Sequence, residues 1–108
     1  MTRRAALVER TFEYHTAEGL RQVRLTLSVP KPDRARRAGW RCRVRVTGLD
    51  RGVDTYAYGE DGMQALVLAL EMARVILRTA PRPDGARLTW LDDEDLGIPT
   101  MLPGPPAA

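Results

Sequence analysis

Residues 61–79 contain the feature that most constrains the fold, a helix-forming run that is apolar around most of its circumference. At about 100° per residue, its polar side chains fall in one narrow stripe. The stripe consists of Gln64, Glu71, Arg74 and Arg78. Asp61 stands three residues before Gln64, as in a helix N-cap, and Pro81 disfavours helical geometry in the residue before it. The sequence therefore predicts one long helix that must be covered on more than one side.

Alternating apolar and polar residues predict strands before this helix. The predicted strands span residues 7–15, 20–29, 40–47 and 53–58, with a short further strand at 87–91. A hairpin register with Phe12 opposite Val23 keeps the apolar faces of the first two strands together. The segment 30–39 combines prolines and cations without an apolar anchor, so we expect a mobile loop there.

These elements predict an α+β fold with one domain. We expect a four- to five-stranded antiparallel meander sheet with one long helix (about 61–79) packed on one face, a two-layer sandwich. Residues 1–98 form the predicted domain, and the Pro/Gly/Ala-rich residues 99–108 form a predicted disordered tail. What covers the second side of the helix is left open between the segment 96–102 and a second copy of the chain.

Composition narrows the class of protein. The single cysteine, Cys42, excludes an intramolecular disulfide, and the charged N-terminus leaves no room for a signal peptide, so we expect a cytoplasmic protein. The helix is not a membrane span, because Glu71, Arg74 and Arg78 would lie in the bilayer. No metal-ligand spacing, phosphate loop or dinucleotide fingerprint occurs in the sequence, so no cofactor or metal site is predicted.

Basic residues are concentrated in the first half of the chain. Up to Arg51 there are 13 basic and 5 acidic residues, and after it 4 basic and 9 acidic. Four arginines fall on the exposed side of the predicted sheet and are candidate contacts for a polyanion or a partner: Arg24, Arg41, Arg43 and Arg45. The inward side of 53–58 is ambiguous, and with Phe12 and Trp40 assigned to the helix side no stacking platform for bases is evident. A solvated face is the simpler interpretation.

Catalytic chemistry has few candidate residues. His15 is the only histidine, Cys42 alternates inward, and Ser28 lies at the opposite end of the hairpin from His15. We therefore expect a protein that is not an enzyme, with no catalytic residues.

The excess apolar surface of the helix favours protein contacts. The predicted interface consists of Gln64, Val67, Glu71, Arg74 and Arg78, and the partner is another protein or a second copy in a homodimer. The first functional expectation is a non-catalytic interaction, accessory or immunity-like factor. Nonspecific nucleic-acid binding through the four arginines is the alternative, and an enzyme of unknown substrate is the second alternative.

Two segments resemble a known family. The pattern Tyr-Ala-Tyr-Gly at 56–59 is followed by Asp-Gly-Met-Gln-Ala-Leu at the helix start, then by Leu-Thr-Trp-Leu at 88–91 and Asp-Leu-Gly-Ile-Pro at 95–99. In these residues the chain resembles a family of small bacterial proteins whose domain is of unknown function. The resemblance spans residues 24–99. It implies a bacterial, cytosolic protein of the fold outlined above and assigns no activity or site residue.

Overall fold

The computed structural model of the chain describes residues 6–35 and 39–100. Within them lie six strands and one helix. In chain order they are β1 (Ala6–Thr16), β2 (Gly19–Ser28), β3 (Lys31–Asp33), β4 (Gly39–Thr47), β5 (Val53–Gly59), α1 (Gly62–Thr79) and β6 (Arg87–Thr89). This is the predicted α+β architecture, with one antiparallel sheet and one helix.

The sheet is antiparallel throughout, and its first strands follow the predicted meander. β1 pairs with β2, β2 with β4, and β4 with β5, while β6 lies on the far side of β1. The predicted register of the first hairpin is confirmed, because Phe12 lies opposite Val23 and Val8 opposite Leu27. β5 pairs along one side of β4. The other side of β4 pairs with β3 near its start and with β2 near its end.

Strand β3 was not predicted, because its sequence has the composition of a loop. The expectation of a mobile loop over 30–39 is wrong at Lys31–Asp33, where the chain pairs with the start of β4. Pro32 is tolerated there because β3 lies at the edge of the sheet. Asp33 is buried and accepts a hydrogen bond from the Ala35 N–H at 3.1 Å, which turns the chain locally. Residues 36–38 lie outside the described ranges.

Helix α1 begins and ends close to the predicted bounds. The Asp61 carboxylate accepts the Gln64 N–H at 2.8 Å, and Gln64 Oε1 accepts the Glu60 N–H at 2.6 Å. Its fully buried side chains are four residues apart, on one face: Ala65, Ala69, Ala73 and Leu77. Three of these are alanines, so the helix lies close to the strands it covers, β4 and β5.

This close approach decides which side of β5 faces inward. Ala57 is buried, and Tyr56 and Tyr58 point to the opposite face. Gly59 allows the chain to pass directly into the helix, because a Cβ at this position would collide with the backbone N of Ala65. A tyrosine ring has no room between an alanine face and the sheet, so the small residue lies inside.

The other flank of the helix is covered by a segment of the same chain. Residues 96–100, called here the return segment, place Leu96 and Ile98 half-buried against the core. Arg10 lies on the inner side of β1 and donates to the carbonyl oxygens of Leu96 at 3.0 Å and Gly97 at 3.1 Å. The Thr100 hydroxyl donates to the Glu71 carboxylate. Thr100, the second residue of the predicted tail at 99–108, is therefore bound to the helix, and 101–108 lie outside the described ranges.

Candidate functional site: the basic face of the sheet

The sheet face turned away from the helix carries the four arginines identified in the sequence. Arg41, Arg43 and Arg45 alternate along β4 with the buried Cys42, Val44 and Val46. Arg24 lies on β2, whose residues are in register with the end of β4. Lys31 of β3 lies directly opposite Arg41 and extends the row. We call this surface the basic face; it comprises Arg24, Lys31, Arg41, Arg43, Arg45, Tyr56 and Tyr58.

Three of the arginines have carboxylate partners. Arg24 lies 3.3 Å from Glu9 on β1. Arg43 donates two hydrogen bonds to Asp54, from Nε at 2.8 Å and from Nη2 at 2.5 Å, and these bonds raise the pKa of Arg43. Arg45 lies 3.9 Å from the same carboxylate. The single carboxylate of Asp54 therefore lies within ion-pair distance of two arginines and neutralises one of their two positive charges.

Lys31 and Arg41 differ from these arginines. Within residues 6–35 and 39–100, neither forms an ion pair. The Arg41 guanidinium instead lies over the Tyr56 ring, 4.9 Å from its centroid. Two exposed cations that have no carboxylate partner in the described part of the chain therefore lie beside an aromatic ring.

A groove runs between these side chains. It has a volume of about 280 Å³ and is lined by Thr26, Ser28, Lys31, Arg41, Arg45 and Tyr56, among others. The groove lies where β2 gives way to β3. At this break the Ser28 hydroxyl accepts the Arg43 N–H at 2.8 Å and replaces a bond of the strand ladder. The interruption of the strand thus leaves a recess among the cations.

Two aromatic rings that the sequence did not assign to this side complete the basic face, the half-buried Tyr56 and the exposed Tyr58. Tyr56 and Tyr58 lie side by side with ring centroids 6.4 Å apart and planes inclined by 36°. The expectation that no aromatic platform accompanies the arginines is therefore wrong. The sequence feature that indicates which side of this strand faces the helix is the small size of Ala57. Apart from Gly59, it is the only residue of Val53–Gly59 small enough to pack against an alanine-rich helix.

His15 and Cys42 are both engaged in structural bonds. Glu13 accepts the Thr89 hydroxyl at 3.0 Å, and His15 Nε2 lies 2.9 Å from the same hydroxyl oxygen. Since the Thr89 proton goes to the carboxylate, His15 Nε2 must be the donor and is not a base for that hydroxyl. Burial raises the pKa of the Cys42 thiol, which donates to the Ser28 carbonyl at 3.3 Å. Neither arrangement activates a nucleophile.

The polar stripe of the helix is divided by the return segment. Gln64 and Arg78 are exposed, whereas Val67, Glu71 and Arg74 are half-buried. Glu71 lies 3.5 Å from Arg74 and accepts the Thr100 hydroxyl. A second recess of about 360 Å³ lies between Arg74, Arg78 and the return segment. The interface role of this stripe stays a prediction.

The acidic run 92–95 has a local structural role. Asp93 accepts the Asp95 N–H and Asp95 accepts the Gly97 N–H, each at 2.9 Å. The carboxylates thus cap successive turns that lead the chain into the return segment.

Comparison with known proteins identifies a family and no characterised relative. The sequence profile of DUF6968, a domain of unknown function, matches residues 8–100. The match extends the resemblance noted in the sequence toward the N-terminus. The chain matches no curated protein and no solved structure. Across the described residues, no helix combines the length and apolar character that crossing a bilayer requires.

Proposed function

We propose that this chain, which belongs to the DUF6968 family of unknown function, binds single-stranded nucleic acid on the basic face without catalysing a reaction. The observation that carries the proposal is the placement of Tyr56 and Tyr58 beside Lys31 and Arg41. Proteins that bind single strands combine a positively charged groove for the backbone with aromatic rings on which bases stack. The basic face has both parts.

The charge pattern supports phosphate contacts at the groove. Asp54 neutralises part of the charge of Arg43 and Arg45, while Lys31 and Arg41 keep theirs. A guanidinium that lies over a ring, as Arg41 does over Tyr56, can hold a phosphate at its edge while the ring receives a base. Lys31, Arg41 and Tyr58 are exposed on this face, where an extended strand of several nucleotides can contact them.

Fluorescence anisotropy with a labelled oligothymidylate tests this proposal. The double variant Lys31→Glu/Arg41→Glu is expected to bind about tenfold more weakly or worse, and to reduce the magnitude of the slope of log K against log salt by about 1.4, at about 0.7 per phosphate contact on a single strand. Arg78→Glu is the matched control, since it makes the same change of charge per site at an exposed position of the helix. Its affinity should fall much less than that of the double variant.

The stacking part of the proposal has its own variants. Tyr56→Ala and Tyr58→Ala should each weaken binding by about 1 to 3 kcal/mol at any salt concentration, because they remove a ring without changing charge. If the unmodified protein does not bind the oligonucleotide at low salt, the proposal is wrong. If Arg78→Glu lowers log K by about half as much as the double variant, in proportion to the charge changed, the protein responds to net charge only and the basic face is not the site.

A role in protein contacts, the first expectation from the sequence, is a second proposal. The observation that favours it is an apolar flank of α1 outside the return segment, on which Leu68 is 42% and Val75 is 48% exposed. A bacterial origin and a cytoplasmic location also remain proposals, supported by the family resemblance and by the unpaired Cys42. The bonding of His15 and Cys42 supports a non-catalytic role.

A further inference from the structure

Strand β5 forms an edge of the sheet. One side of Val53–Gly59 pairs with β4 in continuous register, and among the described residues no strand pairs with its other side. Natural proteins usually protect such an edge with proline, lysine or a bulge. β5 has no proline, lysine or bulge, and Asp54 is its one charged residue. It therefore offers a regular backbone of seven residues for strand addition.

The direction of the backbone groups follows from one hydrogen bond. The Arg43 N–H donates to Ser28 Oγ, so the backbone polar groups of Arg43 point away from β5. Arg43 lies opposite Tyr56, and opposite residues of an antiparallel pair either bond to each other or both point away. The Tyr56 N–H and C=O therefore point toward the outer side of β5. Residues 54 and 58 share this direction, since the strand period is two.

A helix flank that no other element of residues 6–35 and 39–100 covers completely lies above the same edge. Leu68, Met72 and Val75 follow one another at spacings of four and three residues, the spacing of a seam between two helices. The return segment, held by Arg10 of β1, covers the opposite flank. Because α1 lies over β4 and β5, the flank away from β1 must face the outer side of β5.

We infer that the occupant of this surface is a second copy of the chain, in a two-fold dimer formed by antiparallel β5–β5 pairing and α1–α1 packing. With Tyr56 on the two-fold axis, the Tyr56 backbone groups of the two copies bond to each other. Asp54, the only charged residue of β5, then lies opposite Tyr58 of the second copy. Because no two like charges lie opposite each other along the paired strands, electrostatic repulsion does not oppose the pairing.

The spacing of the two helices agrees with this arrangement. Neighbouring strands lie about 4.8 Å apart, so a helix centred between β4 and β5 lies about 5 Å from the two-fold axis. The two copies of α1 are then about 10 Å apart, within the range of packed helices. Leu68, Met72 and Val75 of each copy fill the space between them. A single added strand from another protein would leave this flank exposed, which is why a second copy fits better.

The dimer joins the two basic faces into one, a consequence that rests on the proposed nucleic-acid function. Tyr56, Tyr58 and Arg41 belong to the two strands nearest the axis, so the second copy places its own set directly beside the first. The combined surface is twice as wide and continuous across the axis. A strand of nucleic acid longer than one copy can contact then meets both sets.

Sedimentation velocity and light scattering on the full chain test the dimer. The unmodified protein is expected to have the mass of a dimer at tens of micromolar, and Leu68→Glu and Val75→Glu are expected to be monomers with unchanged circular dichroism. Both positions are partly exposed in the single chain, so folding should tolerate the change. Met63→Glu is the matched control, since Met63 is 77% exposed on another side of the same helix, and it should remain a dimer.

Each outcome decides between alternatives. A monomeric unmodified protein overturns the inference, and so does a dimer that persists in both Leu68→Glu and Val75→Glu. A monomer that captures strands of other proteins also contradicts it. The nucleic-acid proposal fails separately: Lys31→Glu/Arg41→Glu should remain a dimer while losing oligonucleotide affinity, and a dimer that never binds oligonucleotide leaves the dimer inference intact.

Discussion

The guanidinium of Arg10 lies over the indole of Trp90, 3.7 Å from the ring centroid, and holds the return segment against the sheet. Arg10 occupies an inward position of β1, where the strand pattern calls for an apolar residue. Its side chain satisfies two carbonyl oxygens and covers a ring, so a cation at this position completes the core instead of disrupting it.

Arg10→Met should lower the free energy of unfolding by about 1 to 3 kcal/mol, because it keeps the aliphatic stem and removes the cation and its hydrogen bonds. Urea denaturation measures the loss. Arg21→Met is the control: Arg21 lies 5.1 Å from the Tyr14 ring centroid and pairs with Asp50 at 3.1 Å, with both side chains about half exposed, and its removal should cost less. Equal losses of unfolding free energy in the two variants would contradict the conclusion that Arg10 holds the return segment against the sheet.

Gly97→Ala should destabilise the fold more than Gly85→Ala. Both glycines have positive φ, 67° and 81°, so either alanine carries the cost of a left-handed backbone, about 1 kcal/mol. At Gly97 the added Cβ would also collide with the Trp90 ring, whereas nothing lies within 4 Å of a Cβ at Gly85. The difference between the two urea midpoints measures the cost of the collision between the added Cβ and Trp90. Identical midpoints would show that the return segment shifts to make room for the Cβ without a loss of stability.

Glu13→Gln should lower stability at neutral pH and lose its effect in acid. The Asp92 N–H, 3.0 Å from the Glu13 carboxylate, lowers the pKa of that carboxylate, and the Thr89 hydroxyl adds to the effect. A lowered folded-state pKa contributes stability above the unfolded-state pKa, and this contribution disappears as pH falls through the folded-state value. Thermal unfolding temperatures of Glu13→Gln and the parent should therefore converge as the pH falls below the ordinary range of a glutamate pKa. Glu18→Gln, in the turn between β1 and β2, is the control.

Tyr14→Phe should leave stability unchanged or raise it by about 1 kcal/mol, because the buried Tyr14 hydroxyl has no hydrogen-bond partner among residues 6–35 and 39–100. Removing the hydroxyl group removes the free-energy cost of burying it, while the phenylalanine ring keeps the same packing contacts. Tyr56→Phe, at a half-buried position on the outer face, should change little. A loss above about 1 kcal/mol in Tyr14→Phe would reveal a partner for the hydroxyl, such as an ordered water.

Cys42 should react slowly with a thiol reagent at pH 8 in the folded protein and rapidly in urea. The side chain is fully buried, and burial raises the pKa of its thiol, so little thiolate is present and little of it is accessible. Absorbance assays with a disulfide reagent measure both rates. A fast reaction in native buffer would mean that the β2–β4 region opens.

Local periodicity was sufficient to predict much of this fold. The alternation in β2 and β4 placed Arg41, Arg43 and Arg45 on one face, and the match of two apolar stripes set Phe12 opposite Val23. The Asp61 cap was readable because the donor, Gln64, lies three residues away. In each case the information lies within a single element or between two neighbours in sequence, where geometry follows from residue spacing.

Other features depended on contacts between distant parts of the chain. Whether Ala57 or Tyr56 faces inward depends on the distance between α1 and β5, which the helix alanines set. The role of Arg10 depends on Trp90 and Gly97, more than 70 residues away in sequence, and β3 forms only because β4 offers an open stretch of backbone beside it. The sequence by itself thus determined the elements and their apolar faces, whereas the tertiary structure decided where ambiguous strands turn and which cations become structural. The physical reason is that a periodic pattern records which side of an element is buried, and the space available on that side depends on its neighbours.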